Sequence, residues 1–127
     1  MSLRPIPRQM LTDTAAVFVP TGIDRYQQPT GTTYTIAQVH VQNTNETRKT
    51  ADNTEVTLRS LLFVDGRYST PRLDMLALQE SAQRAGQYMT LTVADKRRNE
   101  TGPYTVQTVD AVSDERGNIH HYELGLV

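Results

Sequence analysis

The chain has 127 residues, with 13 basic and 14 acidic side chains and a net charge of −1. That length suits one domain, and that charge balance excludes a free-standing nucleic-acid binder, which would be basic. The chain has no cysteine, which excludes a disulfide framework and thiolate chemistry.

No apolar run approaches the roughly 20 residues a membrane span needs, and no charged-then-apolar leader opens the sequence. Neither a membrane partner nor secretion is expected. A reducing cytoplasm, or a particle assembled there, is the expected location. Hydrophobic residues make up 37%, with no Trp and two Phe. That is lean for a self-sufficient core, so some segments are expected to be solvated loops or to be completed by partners.

Arg4-Pro5-Ile6-Pro7-Arg8 comes first. Each proline removes a donor and biases its predecessor to extended geometry, so residues 1–10 are expected to form a non-helical arm. It could dock on a neighbour or lie solvated, packed by Ile6 alone. Met10 to Val19 turns strand-like over 15–19, with Phe18 expected inward and Pro20 ending the strand. Thr21 to Thr33 reads as a loop, punctuated by Gly22, Pro29 and Gly31. A second strand spans 34–41. Its apolar phase switches from Tyr34 and Ile36 to Val39 and Val41, which requires a bulge near Ala37-Gln38 or burial of both faces.

Gln42 to Glu55 has Ala51 as its single apolar residue. Such a segment cannot bury enough surface to offset its ordering entropy, so a long mobile loop or a polar hairpin tip is expected. Asn45-Glu46-Thr47 and Asn99-Glu100-Thr101 match the glycosylation sequon, read as chance without a secretion signal. A third strand covers 56–64; Leu61-Leu62-Phe63-Val64 is apolar on both faces, which places it centrally.

Thr70-Pro71 reads as an N-cap followed by proline at the first helical position, opening a helix over 72–85. Leu73, Leu76 and Ala77 form one apolar stripe, and Leu78, Ala82 and Ala85 a second. Glu80 and Arg84 have the spacing of a surface ion pair, and Gly86 is the expected stop. A strand over 88–94 alternates cleanly, with Met89, Leu91 and Val93 inward. Asp95 to Gly102 is a charged turn whose Lys96, Arg97 and Arg98 read as solvated. Strands over 104–112 and 119–126 flank a turn at 113–118, where Gly117 and Asn118 can supply positive φ. The final strand is expected to be tied into the sheet. About six strands, one short helix and no internal repeat predict a small antiparallel β-barrel or sandwich, one domain over 1–127. The expected core is Phe18, Leu62, Met89, Leu91, Val93, Val106, Leu124 and Leu126.

No catalytic constellation is legible. There is no nucleophile elbow, no Gly-rich oxyanion turn and no phosphate-cradling loop. His40, His120, His121 and Glu123 are the only candidate metal ligands. Adjacent residues on a regular strand point to opposite faces, so His120 and His121 could not both ligate. One buried, hydrogen-bonded histidine and one exposed histidine are expected instead. Neither enzymatic activity nor a metal or other cofactor is expected.

Three stretches carry a resemblance. The RPIPR opening, the LLFVDGRYSTP strand and turn, and the terminal Tyr104-Thr105-Val106 strand with its Gly117 turn and HHYELGLV ending resemble phage and prophage minor capsid proteins. These are similar to the head-completion, or stopper, proteins of long-tailed phages. The helix-like stretch from Leu73 to Gly86 is longer than that family's connecting loop would suggest. The resemblance implies a subunit of a homo-oligomeric ring at the head–tail interface of the virion, assembled in the bacterial cytoplasm. Its implied partners are the portal adaptor, the tail proteins and, transiently, packaged DNA. A ring subunit finishes its burial on neighbours, which suits a lean core.

The resemblance further implies that Gln42 to Glu55 faces the channel, with Asn45, Glu46, Arg48, Lys49, Asp52 and Asn53 as candidate gate residues. Arg4, Pro5, Ile6, Pro7 and Arg8 become a candidate docking arm. A tail-completion (terminator) subunit and an unrelated β-barrel binding module are the alternative readings.

Overall fold

A computed structural model describes residues 8–49 and 53–127. A single 3-10 turn at Arg8–Met10 leads into β1, Asp13–Ile23. Then come β2 (Pro29–Asn43), β3 (Thr47–Lys49), β4 (Glu55–Thr57) and β5 (Ser60–Asp65). The helix α1 is Met75–Arg84, followed by β6 (Thr90–Ala94), β7 (Glu100–Ser113) and β8 (Ile119–Leu126). Six strands join in the order β1-β2-β5-β8-β7-β6, every pairing is antiparallel, and β6 pairs back onto β1. The ladder therefore closes into a small barrel, though an irregular one, with register shifts in three of its seams. β3 and β4 form a separate two-stranded sheet.

Most of the expected core is inside. Leu62, Met89, Leu91, Val93, Val106, Leu124 and Leu126 are all buried. Phe18 is not. Ala15, Val17 and Val19 turn inward and Phe18 lies half-buried on the outer face. The run Ala-Ala-Val-Phe-Val allows either phase, and the inside of a six-stranded barrel has room for the smaller set. The phase switch in β2 is resolved by a bulge. Asp13 pairs with Val39 and Thr14 with Ala37, leaving Gln38 as the extra residue at φ 61. Ile36 and Val39 are consequently both fully buried.

Four expectations need correction. Pro20 does not end β1. The strand continues to Ile23 through an irregularity between Pro20 and Gly22. β6 reaches only to Phe18 along β1, so the upper part of β1 has a ladder on one side alone and tolerates proline. The expected loop over 21–33 shrinks to Asp24–Gln28, and the rest of it is ribbon. The strand expected over 56–64 breaks at Leu58-Arg59 into β4 and β5. The helix starts late: Thr70 is committed to a bridge with Ala37, and Asp74 caps instead, its Oδ1 accepting from the Ala77 amide at 3.2 Å. The helix ends as expected. Gly86 sits at φ 71, with its amide on Gln83 and that of Gln87 on Ala82, the pairing of a Schellman stop. The inward stripe is Met75, Leu78 and Ala82, and Leu76 faces solvent. The helix packs on β1 and β7, the strands that flank the short β6.

Three of the hairpin turns are built alike. Asp24 Oδ1 accepts from the amides of Tyr26 and Gln28, Asp95 Oδ1 from Arg97 and Asn99, and Asp114 Oδ1 from Arg116 and Asn118, all at 2.8–3.0 Å. The fourth residue of each turn, Gln27, Arg98 or Gly117, has positive φ. An aspartate side chain thus replaces a turn's missing backbone partners. Asn118, expected to share the positive-φ role, does not.

Candidate functional site

Two of the stretches that carry the resemblance meet in space. Leu61–Asp65 of β5 pair with Gly125–His121 of β8, although about sixty positions separate them in the chain. They form one wall of the barrel, carrying a clasp on its outer face below and a cleft at its upper end.

The clasp centres on Arg48 in β3. Its guanidinium reaches Asp110 at 2.7 Å, Glu123 at 2.8 Å and Glu46 at 3.0 Å. Burial alone would lower the pKa of Arg48, but hydrogen bonds from Glu123, Glu46 and Asp110 outweigh it and hold the guanidinium above its ordinary value. Burial alone would likewise raise Glu123, but hydrogen bonds from Arg48 and His121 prevail and keep its carboxyl below the usual range. Charge-assisted contacts of this kind are the strong ones.

The clasp continues sideways. His121 Nε2 lies 2.9 Å from Glu123 Oε2, and His121 Nδ1 lies 2.8 Å from His120 Nδ1. His121 thus bridges His120 and Glu123 through its two ring nitrogens, with donor and acceptor roles set by its tautomer. The two rings were expected on opposite faces. Instead β7 pairs Val112 with His121 and Ser113 with Ile119, which makes His120 a bulged residue and breaks the alternation. Phe63 packs beside His121 and stacks on His40, extending the row across β5 and β2. Among the described residues no three metal-ligating side chains converge.

Next to the clasp, Leu58 is buried on the outside of β8. It sits over Gly125, where an added Cβ would meet Leu58 Cδ1 at 2.7 Å and collide with Thr108 Oγ1. Glycine is required here by close approach, not by its dihedrals. The Thr108 hydroxyl in this seat has no hydrogen-bond partner among the described residues.

The cleft, of about 320 Å³, opens between the β5–α1 loop and the start of β8. Val64, Leu73, Ile119 and Tyr122 give it apolar walls, with Arg72 at the edge. Burial, then the charge of Asp74, push the Tyr122 phenol up, and a hydrogen bond with the Met75 backbone opposes them. A shallower cleft of about 230 Å³ adjoins, sharing Ile119 and Arg72 and adding Arg67 and Asp114.

Of the sequence-predicted gate residues, Asn45, Glu46, Lys49 and Asn53 are exposed and Arg48 is half-buried. Asp52 lies outside the described residues, as do Arg4, Pro5, Ile6 and Pro7 of the candidate arm; of that arm only the Arg8 backbone, in a 3-10 turn, is described. Of the two expected forms, a mobile loop or a polar hairpin, the structure shows the hairpin, and the expectation that its composition bars it from any tertiary contact is corrected. β3 and β4 pair, Thr47 to Thr57 and Lys49 to Glu55, and the clasp fastens their base to the wall. The aliphatic anchor, Leu58, lies just beyond the segment.

The chain matches no family model, no curated protein and no solved structure. Among the described residues no helix is long and apolar enough to cross a membrane.

Proposed function

We propose that the chain is a structural subunit of a phage head–tail connector: a head-completion protein that closes the DNA exit channel and gives the tail its attachment surface. The observation that carries this reading is the β5–β8 wall. The resemblance rests on short stretches far apart in sequence, and the LLFVD part of one pairs strand to strand with the HYELG part of another, which supports reading them as one surface. A closed barrel with hairpins leaving its wall also suits a part whose work is mechanical, since closure removes the strand edges that would cause uncontrolled assembly.

In this reading the fastened β3–β4 hairpin presents its tip to the channel while its base stays on the wall. The tip is near-neutral, so it blocks sterically rather than gripping phosphate, whose hold would be tight and salt-dependent.

The test is deletion of the gene from its phage or prophage. Heads should fill with DNA, then lose it and fail to take tails, and the supplied protein should restore both. Heads that retain DNA and join tails without the chain would overturn the reading. Heads that retain DNA while tails assemble to abnormal lengths would point to a terminator subunit instead.

A further inference from the structure

The β1–β2 hairpin leaves the barrel. Beyond Phe18, β1 has lost β6, and above Val39, β2 has lost β5, keeping only a single bridge from Ala37 to Thr70 in the β5–α1 loop. The two strands continue without further ladder partners as a ribbon to Ile23 and Pro29, steadied by the Gln87 side chain, which donates to the Gly22 carbonyl at 3.0 Å. At the tip, Ile23 is 56% exposed and Tyr26 is 68% exposed. The tip is nevertheless well formed. Asp24 ties the turn with its Oδ1, and the Arg25 guanidinium lies 5.0 Å from the Tyr26 ring centroid. A large aromatic held ready in this way loses little entropy on burial, the property of an interface anchor.

The cleft at the top of β5 and β8 is the complementary feature. Its walls are Val64, Leu73, Ile119 and Tyr122. Arg72 stands at its edge, with the Asp65 carboxylate beside it. Asp65 Oδ1 accepts from the amides of Arg67 and Tyr68, and Asp114 Oδ1 from those of Arg116 and Asn118. Arg72 makes no ion pair among the described residues. The tip brings the Asp24 carboxylate, whose Oδ1 alone is used by its turn.

Placement decides the occupant. β1 runs towards its turn in the same direction as β5, and β8 starts where β5 ends. The ribbon tip and the cleft are therefore at one end of the barrel. In the circular order β1-β2-β5-β8-β7-β6, β1 and β8 are three strands apart either way round. The tip and the cleft thus lie on opposite sides of the same end, and the tip cannot reach its own cleft. Two different complementary patches on opposite sides are what a heterologous contact needs, and such contacts close into rings when the rotation allows.

We infer that the β1–β2 ribbon of one copy seats Tyr26 and Ile23 in the β5–β8 cleft of the next copy. This gives the ring of the proposed connector its subunit contact, and in that respect it rests on that reading.

The chain has no native cysteine, so cross-linking is clean. Tyr26→Cys protein is mixed with Ile119→Cys protein at high concentration under mild oxidation. The expected result is a mixed dimer formed several-fold more readily than either variant dimerises alone. Adding Arg72→Glu to the Ile119→Cys chain should cut that yield several-fold. The double variant Tyr26→Cys/Ile119→Cys should give a ladder ending in a closed species without free thiol. A mixture that cross-links no better than the separate variants would overturn the contact, as would a double variant that bridges within one chain. Circular dichroism confirms that each variant is folded. Failure here, with normal rescue of gene-deleted heads by the native chain, refutes the contact and leaves the connector reading standing. Cross-linking with no effect of gene deletion does the reverse.

Discussion

Two hairpins leave the barrel wall, and they are held in opposite ways. The β3–β4 hairpin is polar along its length, yet it is fastened by Arg48 to two strands and by Leu58 to the Gly125 seat. The β1–β2 ribbon ends in Ile23 and Tyr26, yet its tip is exposed and its upper part is tied back only by the Gln87 side chain, which donates to the Gly22 carbonyl at 3.0 Å. Composition alone would assign the roles the other way round. What decides is whether a hairpin finds partners on a distant strand, not how apolar it is.

The strongest way to break the contrast is Leu58→Ala. Leu58 is fully enclosed although it lies outside the barrel interior. Its loss should cost about 2–4 kcal/mol, within the range for enclosed leucines. Denaturant unfolding measures it. A change below about 0.5 kcal/mol, typical of surface positions, would mean that the β3–β4 hairpin is loosely held.

Arg48→Ala should come next, at about 1–3 kcal/mol, because Glu123 and Asp110 would be left facing each other without their cation. The effect should depend on pH. The folded Glu123 carboxyl is held below its ordinary value. Its stabilisation is therefore complete above the usual glutamate pKa of about 4.3 and is lost as pH falls through the lower folded value. The stability gap between native and Arg48→Ala protein should narrow on acidification below that point, and a gap constant with pH would argue that Arg48 acts by packing alone. The smallest effect belongs to the ribbon. Tyr26→Ser should change the stability of the single chain by less than about 0.5 kcal/mol. A larger loss would show the tip packing on its own barrel.

Much of the barrel was legible in the sequence, and the reason is periodicity. The Gln38 bulge could be read because an inward-facing strand cannot switch phase without one. β8 could be read because Tyr122, Leu124 and Leu126 alternate without interruption. Phe18 could not, since apolar neighbours on both sides leave the phase open. The upper ribbon was hidden by its prolines and glycines, which signal loops unless the strand is known to lack a neighbour there. One signal was available and unused: Asp24, Asp95 and Asp114 each stand four residues before Gln28, Asn99 or Asn118, the spacing of the shared turn. The clasp had no local signal, because Arg48 meets partners 62 and 75 residues away. The cleft had none either, being made by a loop and a strand that only the fold brings together.

The brevity of β6 has a dynamic consequence. β6 is the shortest strand of the barrel and joins β1 over Thr14–Phe18 only. Above that point the gap between β1 and β7 is filled by the side chains of α1, Met75 and Ala82 foremost. Side-chain packing can yield by rotamer changes and small slides, whereas a ladder opens only by breaking hydrogen bonds together. The barrel therefore has a preferred line of breathing along its helix-filled seam. The β5–β8 wall, across the barrel from β1, can stay rigid while that seam flexes.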